Sequence, residues 1–149
     1  MRPAPPDRAD FPHFDVYPIR WRDNDVYGHM NNAVYYEYAD SVVARWLTGP
    51  GGLAVPDGPV ICLVVETGCT YFGSLGFPDT VEAGLRLDRV GGSSITYEIG
   101  LFAAGAPTAA ARVRFVHVCV DSVTRRPAPV PPGLRAALAA LGPHVQSGA

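Results

Sequence analysis

The sequence contains no lysine, and its charges nearly cancel. All 12 basic residues are arginine and stand against 14 acidic residues, which gives a formal net charge of −2 over 149 residues. A chain with this balance has no broad positive field to attract nucleic acid or an anionic membrane surface. We therefore expect neither nucleic acid nor a membrane among its partners.

Long apolar runs are also missing, and cysteine is scarce. No stretch of about 18 apolar residues occurs, so the sequence predicts no transmembrane helix. The proline-rich start, "MRPAPPDRADFPHF", lacks the apolar segment of a secretory signal peptide. The 3 cysteines show no metal-ligand spacing and are expected as small buried residues of a cytoplasmic protein. Neither a metal nor a redox cofactor is expected.

The composition that remains is that of one globular domain. Hydrophobic residues make up 48% of the chain and charged residues 17%, which is enough apolar side chain for a single sizeable core. We expect a proline-rich N-terminal arm at 1–13, the domain at 14–142 and a tail at 143–149.

Strand and helix patterns follow one another in a simple order. Apolar runs and alternations predict five strands, at residues 14–22, 60–72, 80–90, 93–102 and 109–121. A narrow polar stripe on an otherwise apolar segment predicts a mostly buried helix at 33–47. Proline at its start and glycine at its end bound a short final helix at 131–142. This order predicts an α+β domain in which a five-stranded antiparallel sheet wraps around one central helix.

The apolar run at 60–65 bears on assembly. A continuous run of this kind is typical of a central strand that is covered on both faces. One long helix cannot cover both faces of a sheet, so some apolar surface is left over. The sequence therefore predicts self-association into a homodimer or homotetramer.

Polar residues concentrate between the first strand and the buried helix, in "RDNDVYGHMNN" at 22–32. In a purely structural interpretation, Asp23 and Asp25 are turn residues, and Asn31 or Asn32 caps the helix. In a functional interpretation, the acids and the helix start together form a site. A metal bound by this stretch is disfavoured, because the spacing fits no familiar ligand set.

The order Asp-x-Asp-x-x-Gly-His-x-Asn-Asn before a buried helix resembles the hotdog-fold thioesterases, most closely the 4-hydroxybenzoyl-CoA thioesterase branch. The resemblance extends over roughly residues 14–140, with weaker matches at "YFGSLGFPDTVEAGLRL", "GGSSITYEI" and "DSVTRRPAPVPPGLRAAL". One departure is Pro78, which precedes Asp79 where the family usually has Gly-Asp. The fold that the resemblance implies is the same wrapped sheet.

The resemblance implies hydrolysis of an acyl-CoA thioester, without a cofactor, at a site between two subunits. It implies Asp25 as nucleophile or general base, and backbone N–H groups near Asn31 and Asn32 as donors to the substrate carbonyl. His29 either bonds Asp25 or the substrate, or is a turn histidine held by the backbone. Asp23 is expected to brace the loop.

The chemistry is consistent with this assignment. A helix start offers unpaired N–H donors and the positive end of the helix dipole, which suit a developing oxyanion. A thiol of pKa near ~8.5 leaves as a thiolate without a strong general acid. Hydrolysis therefore needs no Ser-His-Asp triad, and the sequence has no G-x-S-x-G motif.

Coenzyme A carries phosphates, so a basic rim is expected around the site. Serines after the Gly91-Gly92 turn could bind pantetheine or phosphate, and a glutamate at the end of an apolar run could be a second polar group. These substrate-binding candidates are Glu66, Ser93, Ser94, Arg89, Arg125 and Arg126. Each is also compatible with an ordinary surface position.

Two other functions fit the same residues. A thioesterase acting on an acyl carrier protein would need a broad basic patch, whereas free CoA needs only a few arginines. A hotdog domain that binds acyl-CoA without cleaving it would not need Asp25. His117, between Phe115 and Cys119 on one strand face, is expected to be a core histidine with satisfied hydrogen bonds.

Overall fold

The computed structural model describes residues 3–142. The predicted tail at 143–149, like the first two residues of the predicted arm, lies outside the described residues. Within them, no helix is long and apolar enough to cross a membrane.

Five strands form one antiparallel sheet in the spatial order β1-β3-β4-β5-β2. The strands are β1 His13–Pro18, β2 Val60–Tyr71, β3 Thr80–Val90, β4 Ser94–Ala103 and β5 Ala111–Asp121. The helices are α1 Val34–Thr48 and α2 Pro132–Leu138. The predicted hotdog fold, with one central helix, a five-stranded antiparallel sheet and a short C-terminal helix, is confirmed.

Helix α1 packs its apolar side against the concave face of the sheet. Tyr35, Ala39, Val42, Val43 and Trp46 recur at helical spacing, and each is almost fully buried. They meet inward-facing residues of the strands, which alternate with outward-facing ones as the pleat requires. This packing fixes the start of α1 against the ends of β1 and β2.

β1 is shorter than the predicted strand at 14–22. It ends at Pro18, and a single 3₁₀ turn follows at Trp21–Asp23. The turn forms because the backbone N–H of Arg20 donates to the side chain of Asp23, at 2.8 Å. A local side-chain bond of this kind competes with strand pairing.

The prediction of a central strand at 60–65 is wrong, because β2 lies at an edge of the sheet. It pairs with β5 on one side, and no strand among the described residues pairs with its other side. Leu63, Val64 and Val65 are 39%, 48% and 59% exposed in the single chain. A bulge between Val64 and Glu66 leaves Val65 outside the register with β5. The continuous apolar run therefore marks an uncovered edge.

Part of the predicted N-terminal arm packs on the outer face of the sheet, the face away from α1. Phe11 is 5% exposed and contacts the Phe14 and Phe102 rings edge-on. It lies over Gly84 and Gly100, where an added Cβ would come within 2.8 Å of its ring. These two glycines make room for the phenylalanine, so the segment is held against the domain.

Candidate active site

The turn that precedes α1 is built around Asp23, which is 1% exposed. Its carboxylate accepts hydrogen bonds from the Arg20 guanidinium, at 3.1 Å from Nε, and from the hydroxyl of Tyr38 on α1. Burial alone would raise the pKa of Asp23, but the bonds from Arg20 and Tyr38 outweigh it and lower the pKa. The Asp23 carbonyl accepts the N–H of Asn31 at 2.9 Å. Asp23 thus ties both ends of the turn to the helix.

Asp25 lies in the same loop, just after that turn, and is only partly buried. Its N–H donates to the carbonyl of His29 at 3.0 Å, and its own carbonyl accepts the N–H of Gly28 at 3.1 Å. Gly28 has φ 87°, a left-handed conformation that favours glycine. The N–H of Tyr27 donates to Asp25 Oδ1 at 2.8 Å. Within residues 3–142 no group bonds Oδ2, so this oxygen is open to a ligand.

The start of α1 presents backbone donors beside this carboxylate. The Asn31 side chain accepts the N–H of Ala33 at 2.9 Å, yet the N-cap position itself is occupied by Ala33, so Asn31 closes the turn just before the helix. The Asn32 carbonyl accepts the hydroxyl of Tyr71 at 2.9 Å. The Asn32 N–H has no acceptor in the described part of the chain. An unpaired N–H at a helix start is a donor for an anionic or polarised oxygen.

A cavity of about 440 Å³ brings the four predicted catalytic residues together. Its lining comprises Asp25, Tyr27, His29, Met30, Asn31, Asn32, Tyr35, Tyr71, Gly73 and Ser74. Side chains from β2 and the following loop were not predicted as part of a site. Tyr71 packs edge-on against Tyr35 with ring centroids 4.9 Å apart, and burial raises the pKa of both phenols. The two rings therefore form a neutral aromatic wall.

His29 contributes an exposed imidazole to the rim of this cavity. Its carbonyl takes part in the turn, as the structural interpretation expected. Its side chain makes no hydrogen bond to Asp25 or to any other residue among 3–142. The imidazole is therefore available to solvent and to a ligand.

The substrate-binding candidates do not lie at this cavity within one chain. Arg89, Ser93 and Ser94 belong to the hairpin between β3 and β4, and Arg125 and Arg126 to the turn that follows β5. Both turns are at the end of the sheet where β2 begins, whereas the cavity is at the end where β2 finishes.

Glu66 is also turned away from the cavity. It forms an ion pair with Arg114 of β5. Arg114 points to the outer face, because its neighbours Val113 and Phe115 point into the core. The bulge beside Val65 shifts the alternation of β2 and sets this orientation. The geometry of one chain gives Glu66 no contact with Asp25.

Comparison with known proteins agrees with the fold. The sequence profile of the thioesterase-like superfamily matches residues 19–138. The PA5185 protein of Pseudomonas aeruginosa strain PAO1 is 46% identical with a TM-score of 0.90, over 93% of this chain and 97% of that one. The PA2801 protein of Pseudomonas aeruginosa, a candidate thioesterase, is 29% identical with a TM-score of 0.79, over 86% and 98%.

A more distant structure has the same fold. It is Slr0204, a 1,4-dihydroxy-2-naphthoyl-CoA thioesterase from Synechocystis, which is 17% identical with a TM-score of 0.75, over 84% of this chain and 93% of that one. No curated protein matches the sequence. These matches identify the superfamily and do not single out the 4-hydroxybenzoyl-CoA branch.

Proposed function

Because this chain belongs to the thioesterase-like superfamily, we propose that it hydrolyses an acyl-CoA thioester to a free acid and coenzyme A. The observation that carries the proposal is the cavity at the start of α1, which Asp25 and Asn32 both line. Among residues 3–142 the Asn32 N–H has no acceptor. The same fold serves a CoA thioesterase in Synechocystis, which supports acyl-CoA as the substrate class.

The reaction requires an attacking oxygen, a donor for the oxyanion and an exit for the thiolate. Asp25 Oδ2 attacks the thioester carbon, or takes a proton from a water that attacks it. The carbonyl oxygen gains negative charge and accepts the Asn32 N–H, at the positive end of the α1 dipole. The carbon–sulfur bond breaks, and CoA leaves as a thiolate that solvent protonates. If Asp25 attacked directly, water then hydrolyses the acyl-aspartyl anhydride.

The acyl group would lie along the aromatic wall of Tyr35 and Tyr71. The Tyr35 hydroxyl accepts the N–H of Leu75 at 3.3 Å, and the Tyr71 hydroxyl bonds the Asn32 carbonyl at 2.9 Å. Both polar ends are therefore occupied, and the ring surfaces face the substrate. The Tyr71 bond also holds the peptide plane next to the Asn32 N–H.

We further propose that the complete site forms between two subunits that meet along β2. No strand among residues 3–142 pairs with the outer edge of β2, and three consecutive apolar side chains there are exposed, Leu63, Val64 and Val65. A two-fold axis through the edge pairs β2 of one chain with β2 of the other in antiparallel orientation. The start of each β2 then lies beside the end of the other.

This pairing accounts for the separation of the predicted residues. In one chain the hairpin at 91–94 and the turn at 122–126 are far from the cavity. In the paired molecule those turns of the partner come to the same end of the joined sheet as Asp25. Arg89, Ser93, Ser94, Arg125 and Arg126 would then reach the site from the second subunit and bind the CoA phosphates.

Replacement of Asp25 by asparagine tests the chemistry. The Asp25→Asn variant should fold normally, with a change in unfolding free energy of ~1 kcal/mol or less, because the amide keeps the Tyr27 bond. Its kcat should fall by roughly 10²–10⁴, since a neutral amide neither attacks a carbonyl nor accepts a proton from water. The assay follows thiol release over a series of acyl-CoA chain lengths.

Asp57→Asn is the matched control, because Asp57 is an exposed acid of the loop between α1 and β2. It should retain wild-type kcat at every chain length. Equal, mild losses of kcat in both variants would show that Asp25 is only a turn residue and that the catalytic role proposed for it is wrong. No thiol release by the wild type at any chain length would overturn the proposed hydrolysis itself.

A further inference from the structure

Two of the three cysteines face each other across neighbouring strands. Cys62 on β2 and Cys119 on β5 are directly opposed in the antiparallel register, and their Sγ atoms are 3.5 Å apart. Cys119 is fully buried, whereas Cys62 is only partly covered because β2 is an edge strand. Cys69 on the same strand is opposed by Val113 and has no sulfur opposite it.

The backbone shows which kind of pair this is. The N–H of Cys119 donates to the carbonyl of Ser93 at 2.7 Å, and the carbonyl of Cys119 accepts the N–H of Ala128 at 2.9 Å. Both groups point away from β2, so Cys62 and Cys119 form a non-hydrogen-bonded pair. In such a pair the Cα atoms are about 4.5 Å apart. That separation lies within the range that a disulfide spans, roughly 4.4–6.8 Å.

We propose that Cys62 and Cys119 form a reversible disulfide when the protein meets a small oxidising disulfide, and that this bond ties the edge strand β2 to β5. The two sulfurs need only small side-chain rotations to come within bonding distance. No function assigned to the cavity at Asp25 requires either thiol, so the bond is a separate modification site of the fold.

The chemistry proceeds by two thiol–disulfide exchanges. The thiolate of partly exposed Cys62 attacks one sulfur of the reagent R–S–S–R, which releases one thiolate RS⁻ and leaves a mixed disulfide on Cys62. The thiolate of Cys119 then attacks the Cys62 sulfur and releases the second RS⁻. Two protein thiols are oxidised, and one reagent disulfide is reduced to two thiolates, which take up the two protons that the protein thiols release through solvent.

The surroundings favour Cys119 in the second step. In the reduced protein the hydrogen bond from Cys62 lowers the pKa of Cys119, burial opposes it, and the positive charge of Arg135 acts in the lowering direction. In the mixed disulfide Cys62 has no S–H to donate, so it is the charge of Arg135 that still favours the Cys119 thiolate in the second step. That hydrogen bond and burial raise the pKa of Cys62. The first exchange is therefore the slow one. In the proposed dimer it also requires the paired β2 edges to separate before the reagent reaches Cys62. It should accelerate as the pH is raised.

The test treats the native protein with glutathione disulfide at mildly alkaline pH and counts thiols before and after. The wild type should fall from three titratable thiols to one, lose the mass of two hydrogen atoms, and yield a cross-linked peptide pair on digestion. Dithiothreitol should restore all three thiols. Persistent glutathione adducts, or three unchanged thiols, would overturn the proposal.

Cys69→Ser is the matched control and should still lose two thiols, whereas Cys62→Ser should form no intramolecular bond. Closing a loop of this length should raise the Tm of the oxidised protein by about 10 °C. The rise should be absent in oxidised Cys62→Ser. An oxidised wild type with the Tm of its reduced form would contradict a bond between the strands.

Discussion

His117 lies on the inner face of β5, where it packs edge-on against Phe115 and Tyr97 at ring centroid distances of 5.1 Å and 5.8 Å. It is 6% exposed, and its Nδ1 has no hydrogen-bond partner among residues 3–142. The sequence predicted a core histidine with satisfied hydrogen bonds. The core position is confirmed, but the bond to Nδ1 is missing among the described residues. Burial lowers the pKa of His117 from 6.5 to about 4, because the protonated ring would lose its hydration in this apolar setting.

This histidine should make stability depend on pH. In the unfolded chain it binds a proton below pH 6.5, and in the folded chain only below about 4. The unfolded state therefore holds more protons between these values, and stability falls as the pH is lowered through this window. The loss should approach ~1.4 kcal/mol per pH unit. Urea unfolding of the wild type at pH 7.5, 6 and 5 measures it.

The variant that isolates this effect is His117→Phe, which keeps a ring of similar shape without a titratable group. It should lose less stability than the wild type between pH 6.5 and pH 5, and be no less stable at pH 7.5, because it removes an unpaired polar atom. Parallel pH profiles for the two proteins would show that other groups set the acid dependence.

At the same scale, the motif as a block was more informative than any single residue. The order of residues 22–32 pointed to Asp25, His29 and the backbone near Asn31 and Asn32, which the structure places around one cavity. It could not separate Asp23 from Asp25 by environment, because burial depends on Tyr38, which reaches Asp23 from the helix. Tyr71 was not predicted as a site residue for a similar reason. It lies on β2, which pairs with β5, and only the folded structure brings it to Tyr35 and Asn32.

At the scale of elements, alternation of apolar residues located every strand but not its neighbours. β3 was predicted at 80–90 and observed at Thr80–Val90, because its pattern is regular from end to end. The apolar run of β2 identified a strand equally clearly. The same apolar residues, however, are expected in a central strand and in an edge strand that a second chain covers. Spatial order depends on long-range pairing, which one strand does not encode.

A charge on the β2 edge should separate the subunits. Val65 is the bulge residue, so it takes no part in the register with β5, and it is 59% exposed. Val65→Lys should leave the chain folded but place two like charges near the proposed two-fold axis, which disfavours strand pairing. Sedimentation should show a dimer for the wild type and a 15.9 kDa monomer for the variant, with loss of hydrolysis.

Val16→Lys provides the comparison at the opposite edge. Val16 is 56% exposed on β1, a strand of only 6 residues that ends in proline. The Val16→Lys protein should remain dimeric and active. Dissociation by Val16→Lys with no effect of Val65→Lys would move the interface to β1 and remove the two-subunit site.

At the scale of the whole molecule, the length of β2 separates the proposed phosphate-binding arginines from the proposed catalytic residue, Asp25, of the same chain. The 12 residues of β2 span about 36 Å from the first Cα to the last, since they are separated by 11 steps of roughly 3.3 Å. Arg125 and Arg126 are therefore too far from Asp25 of their own chain to share one CoA molecule with it. Replacement of both by alanine should raise KM with little change in kcat, since a phosphate contact stabilises bound substrate and transition state alike.

A heterodimer tests whether the arginines act across the interface. One subunit carries Asp25→Asn, the other carries Arg125→Ala with Arg126→Ala, and two different affinity tags isolate the mixed molecule. Asp25 of the second subunit then meets the intact arginines of the first. At low substrate the heterodimer should show about half the activity of the wild-type dimer, because one of two symmetric sites is normal. Activity no higher than about half that of the arginine variant would show that the arginines serve Asp25 of their own chain and would overturn the shared site.

The aromatic cluster of Phe11, Phe14 and Phe102 has a consequence for quaternary geometry. It forms a ridge over β3 and β4. The outer face of β5 and β2 carries the Arg114–Glu66 ion pair, and no segment among residues 3–142 covers it. Two dimers cannot stack squarely back to back across such a ridge. Any tetramer built through this face must meet on the β5 and β2 half alone, which offsets one dimer sideways from the other.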